Sequence, residues 1–436
     1  MSAIARYLNS KGMQVAGYDK TSSVLTDQMI KEGIDIHFID DTGLLPLWAQ
    51  EKNDDALFVY TPAIPEDHKE LNFIKNLGYK VYKRSEILGL ITEQSFTVAV
   101  AGTHGKTTTA SILAHVLTET GYGCSAFLGG IATNYNSNVL IDQGSETVVV
   151  EADEYDRSFL SLFPDVAIVT SMDADHLDVY GEKGNLVESF GLFIGQLKNG
   201  GKLIRKAELD IEQGITYSIT MQADYQALDV RVEDGSYLFN LKYPDGVIEN
   251  VSVGLPGGHN IENAIAAFSV ASELGIEGSR IVHALSCFKG VKRRFEYHIR
   301  SNRLIYIDDY AHHPEELKAC IRSVKELYPG KKITGIFQPH LYSRTRDFAD
   351  GFAESLSELN EVILLEIYPA REMPIEGVSS QMILNKISGT NKSLLQKKEV
   401  IDDLKDRELE VLLTLGAGDI DQLVEPIKTE LEAHIS

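Results

Sequence analysis

The chain reads as an α/β protein of three domains, on three observations. Short apolar runs ("KVYKR", "FTVAV", "ETVVVEA", "DVAIVTS", "RLIYIDD") alternate with stretches of helical period, the pattern of parallel sheets covered by helices. With 436 residues, 43% of them hydrophobic, the chain can bury more than one core. Between Asp224 and Leu255 the period shortens to two, with "EDGS" and "PDG" turns, as in a small antiparallel sheet. The expected class is doubly wound N-terminal and C-terminal domains flanking a P-loop ATPase-like central domain that carries the small sheet.

Residues 1–94 form the first expected domain. Met1 to Lys11 reads as a helix and Met13 to Asp19 as the strand after it. A doubly wound domain opens with a central strand and a glycine-rich turn before its first helix. Neither stands here, so the expectation is that the chain as written starts late and lacks that strand and turn. A boundary at Glu93 to Ser95 opens the central domain, residues 95–296. Its helices at Asn260 to Leu274 and Ser279 to Phe288 lead to "KGVKRRFEYH", read as a polar, positively charged link, with the second boundary near Tyr297. In residues 297–436 the strands "RLIYIDDY", "KITGIF", "EVILLEI" and "LEVLLTLG" alternate with helices and give the third domain.

An excess of 64 acidic over 41 basic residues leaves a net charge of -23, which argues against nonspecific nucleic-acid binding and against an anionic membrane surface. Any anionic ligand must meet a local basic site. The three cysteines (Cys124, Cys287, Cys320) show no metal or redox spacing and read as ordinary buried residues of a reducing compartment. No apolar run spans a bilayer and the first residues lack a signal peptide's apolar stretch, so the expected location is cytoplasmic.

The chemistry begins at "TVAVAGTHGKTTTASILAHVL", Thr97 to Leu117. The usual phosphate loop has four residues between its first glycine and the Gly-Lys pair; here only Thr103 and His104 separate Gly102 from Gly105. A strand, this turn and a helix from Lys106 aim backbone N–H groups and the positive helix end at phosphate. Lys106 adds a full charge, and Thr107 is expected to face a magnesium ion. "VVVEADEYDRSF" puts Glu151 at the end of a buried strand, where folding needs no carboxylate, although an ion pair would also explain it. "VTSMDADHLDVYG" offers Asp173, Asp175, His176 and Asp178 after another strand, a set suited to a divalent cation.

The stretches "GTHGKTTT", "EADEYDRSF", "DADHLD", "LPGGHNIENA", "GVKRRFE", "DDYAHHPEE", "FQPHLYSRTRD", "YPAREMP" and "GAGD" occur in the order seen in the Mur ligases of peptidoglycan synthesis. The chain resembles that family over its whole length, and most resembles the branch that joins L-alanine to UDP-N-acetylmuramate. The resemblance implies that ATP is held at Gly102, Thr103, His104, Gly105, Lys106, Thr107 and Thr108. It implies that Thr107 and Glu151 bind one Mg2+ and His176 a second. Asn260 and Asn263, with His259 adjacent, are implied near adenine; an ordinary helix cap is the competing reading of these asparagines. Arg294 and Asp309 are implied on the nucleotide, and His312, Arg344 and Arg346 near the amino acid.

The activity so implied is ATP-dependent formation of an acyl phosphate on the sugar nucleotide's carboxylate, followed by attack of the amino acid's amine. Lys106, Glu151, His176 and His312 are the catalytic candidates, His312 as the amine's base. Within the family the rival is the recycling ligase that attaches a tripeptide to the same sugar nucleotide; folylpolyglutamate synthetase is a more distant one. Of another class is a P-loop switch protein. The expected assembly is a monomer or homodimer.

Overall fold

The computed structural model describes residues 1–61, 64–173, 183–233, 236–370 and 372–435. Two compact units are distinguished. One comprises Met1–Gln226, Tyr243–Gly246 and Asn263–Ala284; the other comprises Ala227–Lys242, Val247–Glu262 and Leu285–Ser436.

The first unit opens with α1 (Ser2–Ser10), which buries Ala3, Ile4 and Tyr7 on one face. Four short strands follow: β1 (Ala16–Tyr18), β2 (Asp35–His37), β3 (Phe58–Tyr60) and β4 (Val81–Lys83). They pair in parallel as two separate sheets, β1 with β2 and β3 with β4. The helix α2 (Arg84–Gln94) then leads into β5 (Phe96–Ala101).

Strand β5 is the centre of the main sheet of this unit. Val98 to Ala101 are fully buried, as expected of an unbroken apolar run covered on both faces. Behind it come α3 (Lys106–Glu119), β6 (Ser125–Ala132), β7 (Ser137–Leu140), β8 (Thr147–Ala152), β9 (Val166–Val169), β10 (Lys202–Lys206) and β11 (Ile215–Ser218). The order is β11-β10-β9-β5-β8-β6-β7, so β8 and β9 flank β5 in parallel. The chain leaving β5 therefore emerges between the ends of two neighbours, where doubly wound sheets gather their ligands. Strand β12 (Tyr225–Glu233) pairs in parallel with β11 at Tyr217↔Tyr225, and β13 (Ser236–Tyr243) and β14 (Gly246–Ser252) follow beyond it, so the stretch expected to form a small sheet instead prolongs this one to ten strands, β14-β13-β12-β11 at its edge.

After α4 (Gly258–Glu273), the second unit builds a six-stranded sheet from β15 (Glu296–Arg300), β16 (Ile305–Asp309), β17 (Ile333–Phe337), β18 (Glu361–Leu365), β19 (Asn391–Leu395) and β20 (Val411–Leu415). Its order is β15-β16-β20-β17-β18-β19, parallel except for β15. Tyr306, Ile336, Ile363 and Leu412 centre its core. Helix α5 (Pro314–Leu327) follows β16, and α6 (Tyr342–Leu356) follows β17.

Two expectations change. The stretch "KGVKRRFEYH" is not only a link: Glu296 begins β15, an edge strand whose bulge between Tyr297 and Ile299 hides its period from a sequence reading. Cys287 is exposed, whereas Cys124 and Cys320 are buried. No helix among the described residues is long and apolar enough to cross a membrane.

Candidate active site

The loop leaving β5 is shaped by two glycines that no other residue replaces without strain. Gly102 has φ +143°, and a Cβ there would stand 2.0 Å from Thr170 Oγ1; Gly105 has φ +82°, with Asn263 Oδ1 at 2.7 Å from its Cβ position. Thr103 N donates to Ser171 O at 3.3 Å and His104 N to Ser171 Oγ at 2.7 Å. Those two amides brace the loop against the end of β9. The first-turn amides of α3, which have no partner within the helix, are the ones left to face a phosphate. Thr108 is buried in that first turn.

Lys106 does not project into open space. Its Nζ donates to Gly102 O at 2.7 Å and lies 2.7 Å from Glu154 Oε2 and 2.9 Å from Glu154 Oε1. Thr107 Oγ1 donates to Glu151 Oε1 at 2.8 Å, and Gly129 N donates to Glu151 Oε2 at 2.7 Å. The register Val100↔Glu151 sets this carboxylate beside the loop. A hydroxyl and a carboxylate oxygen so close are hard oxygen donors of the kind Mg2+ takes, and the two left-handed glycines form a cradle that side chains would fill. The site residues thus fit both groups.

Asp173 is exposed and its N–H donates to Thr103 Oγ1 at 3.1 Å. Asp175, His176 and Asp178 lie outside the described residues. Asn263, buried, accepts from Thr109 Oγ1 at 3.1 Å and so stands against the loop. Asn260 makes a local contact to Pro256 O at 2.6 Å, and His259 is exposed.

In the second unit the candidates gather at the carboxyl ends of β16 and β17. The sequence "HHPEE" is helix-start grammar: His313 caps α5, Pro314 takes its first position and Glu316 completes a capping box. That leaves His312, whose Nδ1 lies 3.0 Å from Tyr310 O and 3.1 Å from Glu316 Oε2. Burial alone would raise Glu316, but His312 and Arg294 hold its carboxyl well below the usual range. Arg294 lies over the Tyr310 ring at 5.2 Å. Asp309 accepts from Phe295 N at 2.7 Å and Ala311 N at 2.8 Å. Burial pushes its carboxyl up to about 6 against the pull of Arg294 and those two amides. The Phe295 it holds is buried at φ +50°, a left-handed conformation costly for a bulky residue.

Arg344 Nη1 is 3.3 Å from His340 Nδ1, and the His340 ring stacks on Tyr368 and meets His312 edge-on at 6.2 Å. Arg346, two residues on, takes the other side of α6, exposed and paired with Asp347. The structure therefore joins Arg344, but not Arg346, to His312. Two residues escaped the sequence reading. His340 sits inside the quoted "FQPHLYSRTRD", its signal being the strand end before it. Glu154 sits inside "EADEYD", where one acidic residue among several gives no sign that it is the buried one.

Known proteins carry the same frame. The Mur ligase family catalytic domain matches residues 1–96, the Mur ligase middle domain residues 100–271 and the Mur ligase glutamate ligase domain residues 293–420. The chain is 51% identical over 431 residues to a UDP-N-acetylmuramate--L-alanine ligase of Christiangramia forsetii, covering 99% of this chain and 95% of the relative. It is 48% identical over 435 residues to the protein of the same name from Flavobacterium johnsoniae, covering 100% and 96%. A crystal structure of the UDP-N-acetylmuramate-alanine ligase from Thermotoga maritima superposes with a TM-score of 0.81 at 26% identity, covering 100% of this chain and 97% of that one. The glycine loop, the acidic strand end beside it and the histidine–arginine strand ends thus stand in a three-domain α/β frame shared with these enzymes from end to end, and the chain belongs to the Mur ligase family.

Proposed function

We propose that this protein is an ATP-dependent ligase that joins L-alanine to the carboxylate of UDP-N-acetylmuramate, in the cytoplasm, as a step of peptidoglycan synthesis. The observation that carries this is half identity, over the full chain, to relatives bearing that enzyme's name. Residues 1–94 take the sugar nucleotide, 95–296 the ATP and 297–436 the amino acid.

A carboxylate does not react with an amine at neutral pH, because hydroxide is a poor leaving group. When bound, ATP supplies the phosphoryl group that makes the carboxylate an acyl phosphate, and Mg2+ supplies charge neutralisation between the two anions. The chain's own part is preorganisation. Lys106 and the first-turn amides of α3 meet the β- and γ-phosphates, Thr107 and Glu151 hold one cation, and His176 a second. Asn260 and Asn263, with His259, serve the adenine end, and Arg294 and Asp309 serve the nucleotide. His312 receives the amine's proton, Arg344 orients the amino acid's carboxylate, and Arg346 stands near the amino acid.

Phosphate release should require both UDP-N-acetylmuramate and an amino acid, with L-alanine ahead of L-serine and glycine. A methyl-sized pocket discriminates by only about 1 to 3 kcal/mol, so some turnover with neighbours is expected. Turnover with a tripeptide but not L-alanine would move the protein to the recycling branch. Nucleotide hydrolysis indifferent to both substrates would favour a switch protein.

A further inference from the structure

Glu154 has no part in the chemistry above, yet its carboxylate is fully buried, 0% exposed. A buried charge is tolerated only when paired, and here the partner is the phosphate-loop lysine. Lysine's ammonium has three N–H donors on a flexible four-carbon stem. With Gly102 O and Glu154 engaged at 2.7 to 2.9 Å, the direction left for a third bond is fixed. Both anchors are themselves held. The Gly102 carbonyl belongs to the residue whose left-handed backbone is locked against Thr170, and Glu154 is the N-cap residue of the 3-10 turn Tyr155–Ser161 directly after β8.

We propose that Glu154 is a positioning residue, which pins the Lys106 ammonium against Gly102 O so that it meets the transferring phosphoryl group in one geometry. This rests on the nucleotide-ligase reading. It makes a prediction of unusual sign. The carboxylate's negative charge offsets much of the lysine's field at the distance of bound phosphates, so Glu154 weakens the ground-state pull on the nucleotide while sharpening the geometry of transfer. Neutralising it must affect binding and turnover in opposite directions.

The test uses the full chain, with affinity for Mg2+·ADP read by calorimetry and ligation read by phosphate release. Glu154→Gln keeps the shape and one acceptor oxygen. It should bind ADP tighter, by up to about 10-fold, while kcat falls roughly 10- to 100-fold, the effect of about 1 Å of misplacement. Glu154→Asp, which restores the charge one methylene short, should recover part of kcat. In a Lys106→Ala background, Glu154→Gln should change ADP affinity no further, because its effect passes through the ammonium. Wild-type kcat in Glu154→Gln, or the same affinity change with and without Lys106, would overturn the proposal. Should Glu154→Gln fail to fold, full kcat in Glu154→Asp would overturn it instead. A wild-type chain that does not bind ADP would sink the nucleotide reading, whereas one that binds it and ignores Glu154→Gln would sink only this inference.

Discussion

At the glycine loop Lys106 faces Glu154, and Glu151 faces Thr107 and the Gly129 amide, every pair within 2.9 Å. At the strand ends of the second unit, by contrast, Arg344 stands beside His340, and the rings of His312, His340 and Tyr368 are brought together. The first region fixes charges by countercharge and by glycine backbone. The second uses burial and neighbouring cations to decide which groups carry a proton. Fixed charge suits phosphate, whose charge is always present; set protonation suits an amine, which attacks only when neutral.

The sharpest way to break this contrast is Lys106→Ala. Turnover should fall by about 10²-fold to 10³-fold or more, the loss typical of one preorganised electrostatic contact. Because the buried Glu154 loses the ammonium it pairs with, the variant should also lose up to about 3 to 5 kcal/mol of stability, read in a urea titration. Adding Glu154→Gln should return much of the stability and none of the turnover. A Lys106→Ala protein as stable and active as wild type would show that the loop does not depend on paired charge.

Next in size is Gly102→Ala. The added Cβ meets Thr170 Oγ1 at 2.0 Å in a left-handed backbone, so the loop must shift. We expect ADP affinity to drop at least 10-fold and stability to fall by about 1 to 3 kcal/mol, within the usual range for a strained backbone position. Unchanged ADP affinity would mean that the backbone does not shape the phosphate site.

Protonation sharpens the other half. Burial, then Arg344 and His312, lowers His340 from 6.5 to about 4. Its folded-state value is depressed, and the favoured form is neutral. Its contribution to stability is therefore present above pH 6.5 and lost as pH falls through about 4. Asp309 has the opposite sign: its value rises from 3.8 to about 6, so its contribution is present below 3.8 and lost as pH rises through about 6. Between pH 4 and 6, His340→Gln should flatten the rise of stability with pH, and Asp309→Asn should steepen it. Urea midpoints across that window measure both slopes; two variants with the wild-type slope would remove the protonation argument.

The smallest effect is expected at Arg346. Exposed and paired with its neighbour Asp347, it should leave the urea midpoint unchanged when made alanine. Arg344→Ala should raise the KM for L-alanine about 10-fold or more, whereas Arg346→Ala should raise it only a few-fold. Equal effects would place Arg346 on the amino acid after all.

Much of this was open to reading in one dimension. The buried strands β5, β8, β16 and β20 are apolar runs, and "GTHGK" between a strand and a helix has few other uses. Elements whose stability comes from their neighbours gave less away. Strand β19, "NKSLL", is a half-polar edge with no apolar run of its own, and β15 is bulged. Composition and order along the chain determined the class, the glycine loop between β5 and α3 and the strand-end candidates, because hydrophobic period and glycine placement are local properties. Only the tertiary structure decided that Glu154 rather than Asp153 meets Lys106, that Arg344 and Arg346 part company, and that His340 belongs beside His312. Burial and countercharge depend on which strand ends lie side by side, and that is a property of the packed sheet.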